Sequence, residues 1–388
     1  MQGFLQVPGI NYFDTYAPVT HLASTQMILA LAEWNSMEIH QINIKGAYLN
    51  GKLNDDEVIH IWQPPGYASK DYPTHFVCWL QKTLYGLKQS RRCWYQCLVQ
   101  IMVDSLGFTQ CEVDQAIFFK RETNGDLMIM VIHVDDCMIA GSMLALVADV
   151  KKQMSEHVKI TNSGELHWLL GIEVRRNKET CTISSSQWSY IKSIIQWFGL
   201  KDSKPISTPM DPNSKISTSD CPSTGAQYAM MRNIPYHEAV GALMYPMLGT
   251  CPDISFAITT ISKISSNPGI VYQEAVEWIW LAQRTSGWHM EGKRKNWWDM
   301  PIQMGTWQKI STQCQDMLLW WTAEQYPELW KYKGLYHCWW QRVSTLLKEV
   351  LWLHLLISQV FGLFQSDTAT MLFSNNQSII ALSKHINI

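Results

Sequence analysis

Residues 127–141 read Leu127-Met128-Ile129-Met130-Val131-Ile132-His133-Val134-Asp135-Asp136-Cys137-Met138-Ile139-Ala140-Gly141, with two adjacent carboxylates between two apolar, β-prone runs. The pattern predicts a buried β-hairpin that carries Asp135 and Asp136 at its tip. Charges in an apolar setting are unfavourable unless they are paired or bound to a cation. Both aspartates are therefore candidate ligands of a divalent metal ion. A solvated turn is the alternative, since Asp is common in turns.

The composition limits the class of protein. A chain of 388 residues, 47% of them hydrophobic, predicts two or three globular domains rather than a disordered protein. Neither a signal peptide at the start nor a membrane span in the apolar stretch 350–364 is expected, which predicts an intracellular protein with no membrane partner. The formal net charge of −2 weakly opposes nucleic-acid binding, which usually requires a basic surface. Compartment and oligomeric state are not indicated.

The predicted secondary structure follows an α+β order. Strands cluster near the acidic pair, which is typical of a polymerase palm but fits other folds too. Residues 203–225, rich in Ser, Pro and Thr, form a predicted linker. The remaining predictions are helices over 24–34, 89–106, 144–157, 236–245 and 254–264, and strands over 38–44, 58–62, 166–174 and 181–184.

Seven motifs occur in one order between residues 3 and 280. Together they resemble the reverse transcriptase of copia-type LTR retrotransposons, and seven motifs in the family's order are hard to obtain by chance. The resemblance implies a right-hand polymerase palm with incomplete fingers and thumb, followed by a degraded ribonuclease H-like remnant. The motifs are Tyr16-Ala17-Pro18-Val19, Ile44-Lys45-Gly46-Ala47-Tyr48-Leu49-Asn50-Gly51, Leu84-Tyr85-Gly86-Leu87-Lys88-Gln89, Val134-Asp135-Asp136, Leu169-Leu170-Gly171-Ile172, Ser207-Thr208-Pro209 and Thr250-Cys251-Pro252-Asp253-Ile254.

The resemblance also implies the reaction and its partners. Asp135 and Asp136 would hold two Mg²⁺ or Mn²⁺ ions that activate the primer 3′ hydroxyl and stabilise the leaving pyrophosphate. The partners implied are an RNA template, a DNA primer and dNTPs. Tyr48 occupies the position of the aromatic that packs on the sugar of the incoming nucleotide, although a core aromatic would read the same.

Two further sets of residues match positions with a function in the family. Lys88, Gln89 and Arg92 lie where the family contacts nucleotide and template; an ordinary solvated helix start is the alternative. Leu170 and Gly171 match the hairpin that grips the primer, although a plain strand would contain the same residues.

Asn43 departs from the family pattern, because the third metal ligand there is an aspartate. Asn offers a carbonyl oxygen but no charge, so the metal ions would face one fewer anion. Loss of a charged ligand removes several kcal/mol of transition-state stabilisation, or roughly a thousandfold in rate. We therefore expect weakened metal binding and severely impaired polymerisation. Other departures, which together suggest a degenerate copy, are Gln26, Cys251 and Trp278 for Arg, His133 for Tyr, and Arg91 for Pro.

Four segments are predicted. Residues 1–202 form the fingers, palm and start of the thumb, truncated at the N-terminus; 203–280 are a linker and connection helices; 281–347 are a frameshifted segment; and 348–388 are a ribonuclease H remnant. Nine of the 19 Trp fall within 281–347. When the codons of residues 299–308 are read from the third base of the first codon, they can encode the family's first ribonuclease H motif. No ribonuclease H activity is expected.

Three functions stay open at this point. The first is a degenerate reverse transcriptase with weak or no activity. The second is a residually active RNA-directed DNA polymerase that uses Asp135 and Asp136, with water in place of the lost ligand. The third is a non-enzymatic relic that binds RNA or partner chains.

Overall fold

The computed structural model describes residues 3–54, 57–64, 66–67, 76–200, 202–210, 216–283, 352 and 355–362. The chain divides into two compact units, residues 1–110 with 114–329 and residues 111–113 with 330–388. In the second unit, residues 355–361 are helical. The predicted frameshifted segment, apart from residues 281–283, and most of the predicted ribonuclease H remnant lie outside the described residues.

A six-stranded antiparallel sheet is the centre of the first unit, in the strand order β4-β5-β6-β7-β1-β8. A three-stranded sheet has the order β11-β10-β9, and β2 pairs with β3 alone. The fold therefore mixes helices with antiparallel sheets, in agreement with the predicted α+β class. The strands are β1 Glu38–Ile44, β2 His60–Trp62, β3 Val77–Trp79, β4 Thr109–Gln110, β5 Ile117–Arg121, β6 Leu127–His133, β7 Asp136–Gly141, β8 Ile160–Glu165, β9 Trp168–Leu169, β10 Ile172–Asn177 and β11 Thr182–Ser186.

Helices cover the large sheet and form a separate core after residue 187. The α-helices are α1 Leu22–Trp34, α2 Ala47–Asn50, α3 Ser90–Val99, α4 Leu144–His157, α5 Trp188–Trp197, α6 Gly225–Met231, α7 Tyr236–Gly249, α8 Ser255–Ser262 and α9 Ile270–Ala282. Short 3₁₀ turns lie at Gly3–Leu5, Thr218–Asp220 and Pro252–Ile254, and α3 continues as a π-helix over Gln100–Ser105. No described helix has the length and hydropathy needed to cross a bilayer.

The predicted acidic hairpin is confirmed, with β6 and β7 joined by the two residues Val134 and Asp135. Both strands are almost entirely buried, which explains why they are continuous apolar runs rather than alternating ones. Alternate residues such as Met130 and Ile139 pack with Trp94 of α3 and Val150 of α4 in one core. The acidic pair therefore lies where two almost entirely buried strands of the sheet meet.

The prediction of one strand over residues 166–174 is wrong. The chain makes a tight hairpin there, in which Leu169 pairs with Ile172 across a turn at Leu170 and Gly171. Leucine disfavours the left-handed conformation that this turn requires, so the pattern gave no turn signal. The downstream strand, β10, continues to Asn177 and pairs with β11.

The helices after residue 187 share their own apolar core. Ile191 of α5, Leu243 of α7, Ile258 of α8 and Trp280 of α9 all belong to this cluster. Helix α6 begins with a capping box, in which Thr224 and Gln227 satisfy each other's backbone groups.

A lysine and a histidine meet between α4 and the large sheet. Lys151 Nζ lies 2.9 Å from His40 Nδ1 and donates to Asn162 Oδ1 at 2.7 Å. The ammonium group has only donors, so the histidine nitrogen must accept and its ring must be neutral. Burial lowers the pKa of Lys151, and burial followed by the charge of Lys151 lowers the pKa of His40 below 6.5.

We expect this contact to make stability depend on pH. Because the folded-state pKa of His40 is lowered, its contribution is complete above about pH 6.5 and is lost as the pH falls through the folded-state value. Glu165 and Glu38 oppose the shift, and Lys178 adds to it. The free energy of unfolding cannot change by more than about 1.4 kcal/mol per pH unit through this one group. Solvent screening at the half-buried ring reduces the change further. Urea unfolding between pH 5 and 8 measures it.

His40→Asn is the matched variant, because its side-chain oxygen can accept from Lys151 without titrating. It should unfold with a flatter pH dependence over the same range. An unchanged pH profile in this variant would assign the effect to another group.

Candidate active site

The acidic pair lies at a strained turn. His133 pairs directly with Asp136, and Val134 and Asp135 form a two-residue loop between β6 and β7. Val134 has a φ of +63°, in the left-handed region. The first loop position of such a turn usually holds Gly, and a β-branched residue there is strained by about 1–3 kcal/mol. The surrounding structure must therefore hold this turn in place.

Two neighbouring elements fix the backbone of the turn. The indole Nε1 of Trp94, a residue 2% exposed, donates to the carbonyl oxygen of Val134 at 2.9 Å. The backbone N–H of Ile44 in β1 donates to the carbonyl oxygen of Asp135 at 2.8 Å. Helix α3 and strand β1 thus hold the backbone that carries Asp135 and Asp136.

Asn43 converges with the carboxylates. It is the direct partner of Asp136 in the antiparallel pairing of β1 with β7. Its side-chain Nδ2 donates to Asp136 Oδ1 at 3.1 Å. The structure therefore brings Asn43 against Asp136, and Asp135 is the adjacent residue in the chain.

The donor set suits a hard divalent cation only in part. Asp135 and Asp136 offer carboxylate oxygens, which Mg²⁺ prefers. Asn43 instead donates an N–H group to Asp136 Oδ1. This hydrogen bond occupies a lone pair of the carboxylate that a cation would otherwise bind. Among the described residues, no cluster of three or more His, Cys, Asp and Glu side chains could hold a metal ion. Two carboxylates fit the ion, and the third position does not.

The residues next to the carboxylates add no charged ligand. Cys137 is fully buried, and burial, with Asp136 and Asp135 adding to it, raises the pKa of its thiol well above the usual range. It therefore stays protonated at neutral pH. Burial also lowers the pKa of His133, against the pull of both aspartates, and its Nδ1 is buried without a hydrogen-bond partner.

Tyr48 lies on α2, directly after β1, and is half-buried. Its ring packs on that of Tyr85 with the centroids 5.1 Å apart, and its carbonyl oxygen accepts from the Thr83 hydroxyl. Gly51 lies against α3: a Cβ there would be 2.8 Å from the backbone nitrogen of Trp94. Glycine is required at this close approach, which ties the Tyr48 segment to the helix that supports the turn.

Gln89 is completely buried, so the alternative of a solvated helix start is wrong for this residue. Its side chain accepts from Gln6 Nε2 at 3.1 Å and donates to the carbonyl oxygen of Asn11 at 3.0 Å. Lys88 is exposed, and its backbone N–H donates to Gln6 Oε1. The start of α3 is therefore bound to the segment near the N-terminus.

Arg92 forms an ion pair with Asp14, at 3.2 Å between Nε and Oδ2. Asp14, like Gln6 and Asn11, was missed by the sequence reasoning because it lies about 80 residues from its partner and no local pattern marks it. Within the described residues, neither Lys88, Gln89 nor Arg92 forms a hydrogen bond or ion pair with Asp135, Asp136 or Asn43.

Leu170 and Gly171 form the turn between β9 and β10, with φ values of +53° and +74°. Two consecutive left-handed residues make a type I′ turn, in which Leu is strained. The hydroxyl of Tyr245 in α7 donates to the carbonyl oxygen of Leu170 and secures this conformation. Behind the turn lies an apolar pocket lined by residues of α1 and β9–β11.

The comparisons with known proteins agree with these features. A family model described as reverse transcriptase (RNA-dependent DNA polymerase) matches residues 1–212. The Pol polyprotein from transposon TNT 1-94 of Nicotiana tabacum is 36% identical over 281 residues, and that from transposon RE1 of Arabidopsis thaliana is 32% identical over 278 residues. These alignments cover 72% of this chain but 21% and 18% of the two relatives, so the chain spans about a fifth of their length. The chain belongs to the reverse transcriptase family of copia-type retrotransposons.

Proposed function

We propose that this chain carries the nucleotidyl-transfer centre of an RNA-directed DNA polymerase in which an amide has replaced the third carboxylate. The observation that supports the proposal is the 3.1 Å contact between Asn43 Nδ2 and Asp136 Oδ1, beside Asp135. An aspartate in the same place would add a third oxygen to one cleft. The proposed activity is RNA-templated DNA synthesis, strongly reduced by the missing charge.

In this proposal the large sheet with α3 and α4 is the palm. Strands β2 and β3, with the segment before α1, are the incomplete fingers, and β9–β11 with the helices after them are the thumb and connection. The degraded ribonuclease H remnant remains a prediction for residues 348–388.

The two aspartates would hold Mg²⁺ or Mn²⁺ through their carboxylate oxygens. When bound, the ions would lower the pKa of the primer 3′ hydroxyl and offset charge on the leaving pyrophosphate. Trp94 and Ile44 hold the backbone carbonyl groups of Val134 and Asp135, so the backbone that carries the two aspartates would need little reorganisation at the moment of reaction. Asn43 supplies a neutral oxygen at most, and only after its N–H turns away from Asp136.

The other predicted site residues take supporting functions in the proposal. The ring of Tyr48 borders the nucleotide sugar, and Lys88 and Arg92 neutralise phosphate groups. Because Gln89 is buried between Gln6 and Asn11, its contribution is to place Lys88 and Arg92 rather than to touch the template. The backbone at Leu170 and Gly171 holds the primer end.

A primer-extension assay tests this proposal, using a DNA primer on an RNA template with dNTPs and either Mg²⁺ or Mn²⁺. The Asn43→Asp chain should extend the primer, and the double variant Asn43→Asp with Asp136→Asn should not. Salt-dependent RNA binding without extension by the Asn43→Asp chain in either metal would contradict the proposal and favour a relic that only binds RNA.

A further inference from the structure

The hairpin of β2 and β3 has one strongly aromatic face. His60 pairs with Trp79, and Trp62 pairs with Val77. Directly opposed residues share a face and alternate residues return to it, so these four side chains lie together. All four are exposed, with Trp62 and Trp79 exposed to 71% and 61%, whereas Ile61 and Cys78 on the other face are partly buried. We call His60, Trp62, Val77 and Trp79 the tryptophan face.

Two lysines flank this hairpin. Lys52 and Lys82 are directly opposed in an isolated antiparallel bridge, and both are exposed. Among the described residues, neither lies within ion-pair distance of a carboxylate. Like charges directly opposite each other are destabilising. An anion bound between them would remove this repulsion.

We propose that the tryptophan face and the Lys52–Lys82 pair bind an unpaired stretch of nucleic acid. Bases would stack on Trp62 and Trp79, and backbone phosphates would lie against the two lysines. Exposed aromatic rings beside cationic side chains are the combination that binds single strands without sequence preference. The inference rests on the proposed function, in which the strand is the template ahead of the site.

Hydrogen bonds of Thr83 connect the region of the two lysines to the Tyr48 segment. Thr83, next to Lys82, donates its backbone N–H to the carbonyl oxygen of Gly51, next to Lys52, at 3.0 Å. The Thr83 hydroxyl donates to the carbonyl oxygen of Tyr48. At about 3.3 Å per residue, residues 77–83 span at most ~20 Å. A nucleic-acid strand lying along them would therefore reach the Tyr48 segment, which follows β1 in the chain.

A second copy of the chain is a weaker candidate for this surface. A tryptophan buries about 150–250 Å². At their exposed fractions, Trp62 and Trp79 could together bury no more than about 330 Å². A stable interface needs about 800 Å² from each partner. The two rings therefore supply less than half of the area that a stable dimer needs from each partner, whereas stacking of a base needs only one exposed ring.

Fluorescence anisotropy with a labelled single-stranded RNA tests the proposal, without metal or dNTPs. Trp62→Ala with Trp79→Ala should weaken binding at least about 30-fold, since stacking contributes about 1–3 kcal/mol per base and two stacked bases are lost. Phenylalanine at both positions should retain most of the affinity. Trp197→Ala, at a position in α5 that is 65% exposed, is the matched control and should leave binding unchanged.

Salt dependence tests the lysines separately. Lys52→Gln with Lys82→Gln should reduce the steepness of log K against log salt by about 1.4, for two phosphate contacts on a single strand. This variant keeps both tryptophans, so it tests the surface even if the double alanine variant folds poorly.

Several results would overturn the inference. One is that the parent chain binds no single-stranded RNA, and another is that the double alanine variant binds it as tightly as the parent chain does. A third is that Trp197→Ala loses as much affinity as the double alanine variant. A dimer in sedimentation equilibrium that dissociates when both tryptophans are replaced would assign the face to a second copy. Binding is measured without catalysis, so failure of primer extension with single-strand binding intact would count only against the proposed polymerase activity.

Discussion

Asn43→Asp is expected to raise the rate of RNA-templated primer extension by roughly a thousandfold, or about 4 kcal/mol in transition-state free energy. The substitution replaces an N–H donor, 3.1 Å from Asp136 Oδ1, with an anionic oxygen in the same cleft. Three carboxylates then face the cations that the reaction requires, and charge developing in the transition state is better neutralised. Steady-state extension rates of the two chains, measured at saturating primer-template, give the ratio.

Two variants separate charge from shape at residue 43. Asn43→Ser keeps a neutral oxygen and should not raise the rate. Asp135→Asn in the Asn43→Asp chain should return it to the background. A ratio near one between Asn43→Asp and the parent chain, with both folded, would mean that residue 43 does not limit the reaction.

The same substitution is expected to destabilise the metal-free protein by about 3 kcal/mol. Asn43 now donates to the charged group of Asp136, and a hydrogen bond to a charged group contributes about 1.5–3 kcal/mol. Aspartate removes this bond and places two like charges about 3 Å apart, which adds further repulsion even where solvent screens it. Urea unfolding in EDTA at pH 7 measures the difference.

Divalent cations should reverse this loss. A ligand that binds only the folded state at a hundred times its Kd adds about 2.7 kcal/mol. Mg²⁺ or Mn²⁺ should therefore stabilise Asn43→Asp far more than the parent chain. Asn43→Ala removes the hydrogen bond without adding charge, so it should show part of the loss and no recovery with metal. Equal stability of Asn43→Asp and the parent in EDTA would contradict the assigned contact.

The hairpin at Asp135 could be predicted because its signal is local. Two apolar runs flank the acidic pair, and each strand pairs with its immediate neighbour in sequence. The convergence of Asn43 on Asp136 is not local, since β1 and β7 are more than 90 residues apart. It could be anticipated only because the ordered motifs resemble a known family.

Other features depend on tertiary contacts that no local pattern reveals. At Leu170 the residue pattern predicted strand, whereas the resemblance implied a hairpin. The pattern missed the turn because its left-handed backbone is stabilised by pairing and by the distant hydroxyl of Tyr245. Gln89 at the start of α3 looks solvated in sequence, yet Gln6 and Asn11 bury it. The functions of the predicted site residues remain proposals, since their placement alone does not assign them.

The position of β1 between β7 and β8 has a consequence for synthesis of the chain. Strands β5, β6 and β7 form successive hairpins that can pair as they leave the ribosome. Strand β1 is made before both of its neighbours, β7, which ends at Gly141, and β8, which ends at Glu165. Both edges of β1 are unpaired until β7 is made, and the edge toward β8 stays unpaired until Glu165; unpaired edges join other chains readily. Nascent chains that stop before β7 should therefore aggregate through β1, and Asn43 can meet Asp136 only after β7 has been made.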